Sequence, residues 1–129
     1  MIGYITVGSN DLDRARGFYA PLLASIGVGE IMRMESGFTM YAMNFTSGGL
    51  AVTKPYDGNA ATPGNGQMAA LVVDERAKVD ALYAKAMELG ASDEGGPGVR
   101  GDEGPMAFYA AYFRDLDGNK LCVFRVGPA

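Results

Sequence analysis

Residues Tyr109 to Val126 read YAAYFRDLDGNKLCVFRV. Two runs of alternating apolar residues flank Asp115-Leu116-Asp117-Gly118-Asn119. Asp and Asn favour the opening of a turn, and Gly118 can take the positive φ that a bulged hairpin needs. A hairpin turn sets the register of its strands, and register sets which side chains share a face. Cys122 and Phe124 are therefore expected on one face of the second strand, and Leu121 and Val123 on the other.

Upstream of this hairpin, residues 92–105 (SDEGGPGVRGDEGP) are polar and glycine-rich. They read as a long loop that admits a short strand, with the length of a lid or binding loop. Before that, Met68 to Val73 reads as an apolar strand. Asp74 is expected to cap a helix that buries Val79, Leu82, Tyr83, Ala86 and Leu89, with Gly90 ending it. Residues 56–66 (YDGNAATPGNG) have the composition of a linker.

The first half carries the same order of elements. Ile2 to Gly8 alternates as a strand with two distinct faces, Tyr4, Thr6 and Gly8 on one and Ile5 and Val7 on the other. Ser9 or Asn10 is expected to cap a helix of period Leu12, Ala15, Phe18, Tyr19, Leu22, Leu23, Ile26, with a kink or restart at Pro21. Strands are expected over Glu30–Glu35, Phe38–Phe45 and Leu50–Lys54. A shift of sixty-four residues lays Tyr4 on Met68 and Phe18-Tyr19-Ala20 on Leu82-Tyr83-Ala84. A shift of seventy-one lays Leu50-Ala51-Val52 on Leu121-Cys122-Val123. The chain is thus expected to be a single α+β domain over 1–129, built as two βαβββ modules (1–55 and 67–127) joined by the linker 56–66.

Composition removes several functions. The chain has no histidine, one cysteine and a net charge of −4. Without histidine there is no Ser-His or Cys-His nucleophile, no His base and no His-ligated metal; acid–base work would fall to Asp, Glu, Tyr, Lys or Cys. A single cysteine excludes an intrachain disulfide and fits a reducing compartment. No basic run suggests nucleic acid, no apolar run suffices for a membrane span, and MIGYITVG has no signal-peptide pattern. Cytoplasmic residence is the expectation. The DLDGN turn lacks the late bidentate Glu and flanking helices of a calcium loop.

Two βαβββ modules, with Ile5-Thr6-Val7-Gly8 followed by Asp11-Leu12-Asp13-Arg14-Ala15-Arg16-Gly17-Phe18-Tyr19, the closing Tyr109 to Asn119 segment and Gly96-Pro97-Gly98-Val99-Arg100, resemble the vicinal oxygen chelate superfamily: glyoxalases, bleomycin-resistance proteins and extradiol dioxygenases. The resemblance implies curved mixed sheets with helices on one face and a concave cavity on the other. It also implies a homodimer, which would cover free strand edges. Metal-dependent members place ligands, typically His and Glu, on the first and last strands of each module. Those positions fall here on Tyr4, Ala51, Met68 and Cys122.

Such a set lacks the oxygen and imidazole donors that a hard divalent cation requires. The expectation is therefore a protein without the family metal and without another cofactor. It would bind a small, partly apolar molecule among Tyr4, Thr6, Ala51, Met68, Arg100, Tyr109, Cys122 and Phe124. The small residues Ala51 and Cys122 are expected to leave room and Arg100 to meet an anionic group; Tyr4, Tyr41, Tyr109 and Tyr112 have two readings, hydroxyls offered to the cavity or plain packing of the rings. Cys122, with apolar neighbours, is expected to be inert. The alternative is a glyoxalase-like lyase or isomerase or a dioxygenase, for which no catalytic residue can be assigned; Asp102 and Glu103 offer no fixed geometry.

Overall fold

A computed structural model describes residues 1–129. Module one runs β1 (Tyr4–Gly8), α1 (Leu12–Ala24), β2 (Gly29–Arg33), β3 (Thr39–Ala42) and β4 (Gly49–Thr53). Module two runs β5 (Ala69–Val72), α2 (Arg76–Glu88), β6 (Ser92–Arg100), β7 (Phe108–Arg114) and β8 (Lys120–Val126). Each forms a four-stranded mixed sheet, in the orders β1-β4-β3-β2 and β5-β8-β7-β6. The first strand of each module runs parallel to its last, with Thr6 opposite Ala51 and Ala70 opposite Cys122. The helical repeat holds at the residue level: α2 begins and ends sixty-four residues after α1. No helix is long and apolar enough to cross a membrane.

The helices pack on one face of each sheet. Val7, Tyr41, Leu50 and Val52 of the first sheet, and Ala69, Ala111, Phe113, Leu121 and Val123 of the second, join the apolar faces of both helices in one cluster of 18 buried residues. The two modules therefore share a core and cannot be separated without exposing it. A polar latch adds to this. The Tyr19 hydroxyl donates to Asp115 at 2.5 Å across 96 positions of sequence. The same carboxylate accepts from the backbone N–H groups of Asp117 and Asn119 and from the Asn119 side chain, each at 2.9 Å. Asn119 also donates to the Gly8 carbonyl at the end of β1, and Asp117 takes Arg14 and the Asn10 N–H. The turn read from the sequence is thus also the joint between modules. Gly118, at φ 88°, supplies the left-handed residue it needs.

Four local expectations are corrected. The cap of α1 is Asp11, whose carboxylate accepts the Arg14 N–H; Ser9 instead bonds the Asp11 backbone. Helix α1 runs unbroken through Pro21, so no turn restarts there; losing one donor does not outweigh its buried apolar face. Asp74 does not cap α2. Glu75 occupies the N-cap without a side-chain bond, and Asp74 pairs with Lys78. Finally, residues 92–100 form the nine-residue strand β6, not a loop. Its register shifts around Gly95 absorb the glycines and proline while it pairs with β7.

Candidate functional site

The sheet faces turned away from the helices carry the expected site. On module one, Tyr4, Thr6 and Ala51 share this open face with Met40, which lies opposite Ala51. The Tyr4 ring is 53% exposed and meets Phe38 edge-on at 5.7 Å. On module two, Cys122 and Phe124 share the open face with Tyr112, opposite Cys122, and with Phe108. Phe108 and Phe124 stack at 5.3 Å with ring planes 7° apart. The hairpin reading thus placed Cys122 and Phe124 correctly on one face.

Tyr109 falls on the other side. It lies opposite Arg125, one residue out of phase with Tyr112, and its hydroxyl donates to Asp80 of α2 at 2.6 Å. Its ring lies under the Arg76 guanidinium at 5.0 Å. Tyr41 likewise sits in the helix-side core, 1% exposed. Neither hydroxyl reaches the open face. Glu103, expected in a lid, is held by Arg76 in an ion pair.

Between the modules lies a cleft of about 460 Å³. Thr6 and Gly8 of β1 form one wall. Thr62, Gly64, Gly66, Gln67 and Met68 form the other, with Asn119 and Lys120 at the end. The cleft therefore joins Thr6 and Met68, whereas Ala51 and Cys122 lie behind it on the sheets, each wholly buried. The room expected over these two small residues is filled by larger partners across the strand, Met40 and Tyr112. Lys120 was not singled out in the sequence, although it lies two residues before Cys122 and so on the same face of β8.

Cys122 and Tyr112 are both held protonated. Burial pushes the Cys122 thiol up, only partly opposed by Tyr112, Arg100 and Lys120. Burial, and then the adjacent thiol, raise the Tyr112 phenol. At neutral pH the pair offers weak donors, not a thiolate or phenolate. No carboxylate lines the cleft.

The four positions of the family metal set fit such an ion poorly. Ala51 has no donor atom, Met68 offers a neutral thioether, Tyr4 a phenol, and Cys122 a buried thiol disfavoured as thiolate. No group of three or more His, Cys, Asp or Glu residues lies close enough to hold a metal.

Paired sheets of this order, each with its helix between first and second strands, define the glyoxalase type of α+β fold. A family model described as the Glyoxalase/Bleomycin resistance protein/Dioxygenase superfamily matches residues 1–123, and the chain belongs to that superfamily. A crystal structure of a glyoxalase/bleomycin resistance protein from Albidiferax ferrireducens is similar over 97% of this chain and 98% of that one, at 32% identity and TM-score 0.85. A family enzyme from Burkholderia phytofirmans (18% identity, 96% and 97% covered, TM-score 0.70) shares the fold. So does a lactoylglutathione lyase from Agrobacterium tumefaciens (20% identity, 97% and 92% covered, TM-score 0.64). No curated protein matches the chain.

Proposed function

We propose that this superfamily member binds a small, partly apolar molecule at the open sheet faces and the cleft between them, without the family metal. The observation that carries the reading is the side-chain set at the four ligand positions, Tyr4, Ala51, Met68 and Cys122. It exchanges charged and imidazole donors for neutral, mainly apolar groups. Thr6, the exposed Tyr4 ring and the Phe108–Phe124 stack supply the mixture of apolar wall and few orienting polar atoms that suits a small-molecule site. A lyase, isomerase or ring-cleaving reaction that works through a chelated metal would need ligands these positions do not supply.

The bound form is a homodimer in the cytoplasm. Tyr4, Met68 and Val72, exposed by 53%, 46% and 70%, place apolar surface on the open faces, where a second copy would cover it. The test is a thermal-shift screen of small neutral aromatics, run with and without nickel and zinc. Stabilisation by an aromatic compound that is indifferent to metal supports the proposal; stabilisation that requires the metal refutes it.

A further inference from the structure

Arg100 occupies a site made for it. Its guanidinium lies 5.4 Å from the centre of the Tyr112 ring and donates to the carbonyls of Gly98 and Gly96 at 2.9 and 2.8 Å. The glycines nearby keep that space open. A Cβ on Gly95 would stand 3.1 Å from one guanidinium nitrogen, and a Cβ on Gly98 3.3 Å from another. Gly95 also has φ +143°, which side chains rarely adopt. The irregular strand β6 thus folds Arg100 back onto its own sheet and fixes it there. The Lys120 ammonium lies 5.6 Å from the centre of the same ring.

Neither cation has an acid. Seven of the eleven Lys and Arg residues are in ion pairs, and Arg100 and Lys120 are not among them. Both are half-buried, in a chain with fifteen Asp and Glu and a net charge of −4. Arg100 comes from β6 and Lys120 from β8, on either side of the β7 strand that carries Tyr112. An acidic protein that leaves two partly desolvated cations unpaired around one ring has a local field that favours a negative guest. On the same open face, further along β7 and β8, lies the Phe108–Phe124 stack, an apolar platform.

We infer that the ligand of this face is an organic anion: an apolar, planar body against Phe108 and Phe124, with a carboxylate or phosphate monoester drawn to the two cations around Tyr112, Arg100 and Lys120. This deepens the binding reading above and rests on it. Arg100, already bonded to two carbonyls and stacked on Tyr112, keeps part of its guanidinium fork for the anion and loses little freedom on binding. Lys120, which also lines the cleft, supplies a point charge.

The test uses calorimetric titration of the full chain with 2-naphthamide, 2-naphthoate and 2-naphthyl phosphate. These share one apolar body and differ in charge. The inference predicts that an anion binds about tenfold more tightly than the amide, the scale of one charge-assisted hydrogen bond. Whichever anion leads identifies the head group. Lys120→Met should erase most of that difference, while Lys54→Met, an exposed cation of the other module, should preserve it. Equal affinities for amide and anions, or a difference that survives both Lys120→Met and Arg100→Met, overturn the inference and leave the pocket reading intact. Failure of all three probes to bind overturns both.

Discussion

The bond between Tyr19 and Asp115 is the most consequential single contact between the modules, and Tyr19→Phe removes it without changing the volume of the ring. Tyr19 is 1% and Asp115 6% exposed, so neither regains a full water shell in the folded protein. The phenol is held well above its ordinary pKa by burial first and then by the Asp115 charge, so it remains a donor throughout the working range. Loss of one buried hydrogen bond to a charged acceptor costs about 2 kcal/mol. Asp115 keeps three donors in the variant, which limits the loss to that scale. Asp115→Asn should cost more, about 3 kcal/mol, because an amide nitrogen must face either Tyr19 and the Asn119 side chain or the two backbone N–H groups. For a chain of this size, 2 kcal/mol corresponds to roughly 8 °C of melting temperature.

Urea unfolding followed by far-UV circular dichroism measures both variants. The double variant completes a cycle with an expected coupling of about 1.5 kcal/mol or more. A Tyr19→Phe loss below about 0.5 kcal/mol, or no coupling, would refute the view that this bond is a principal joint between modules.

Three further outcomes follow from the same geometry. Cys122, buried and with its thiol pKa raised by that burial, should resist a neutral-pH thiol reagent in the folded protein and react fully in denaturant; fast native labelling would contradict its placement. Asp74, Asp93 and Glu103 have lowered pKa values, caused first by the Lys78 side chain, the Gly95 N–H and the Arg76 side chain respectively. Groups lowered by folding stabilise above their unfolded pKa, so melting temperature should hold near neutrality and fall as pH drops below about 4; a rise in that window would reverse the sign. Light scattering should give twice 13.6 kDa, whereas the monomer mass at all concentrations would remove the proposed dimer.

The fold was legible because its signals are local and repeated. The DLDGN turn, the alternation on either side of it and the sixty-four-residue echo of α1 in α2 each follow from short stretches. What escaped depends on long-range registration. Glycine and proline made residues 92–100 look like a loop, but pairing with β7 holds them as a strand, and the glycines make room for Arg100. Residue type alone points Tyr109 to the cavity; its phase opposite Arg125 puts it under α2 instead. Lys120 carries no signal in the sequence, because a lone lysine beside a turn has an ordinary solvated explanation. Its value comes from sharing Tyr112 with Arg100, which only the β7–β8 register and the fold-back of β6 bring about. Ala51 and Cys122 were identified as small, but their burial depends on Met40 and Tyr112 from neighbouring strands.

The central claim is that this superfamily member works without the family metal, and metal content tests it most directly. Protein purified without a metal-affinity step, incubated with excess nickel, zinc, iron or manganese and then dialysed, should retain well below one equivalent by elemental analysis. Its melting temperature should be unchanged by the ions. One equivalent that survives a chelator wash, stabilises the fold and is lost on substituting Cys122 or Met68 would contradict the account.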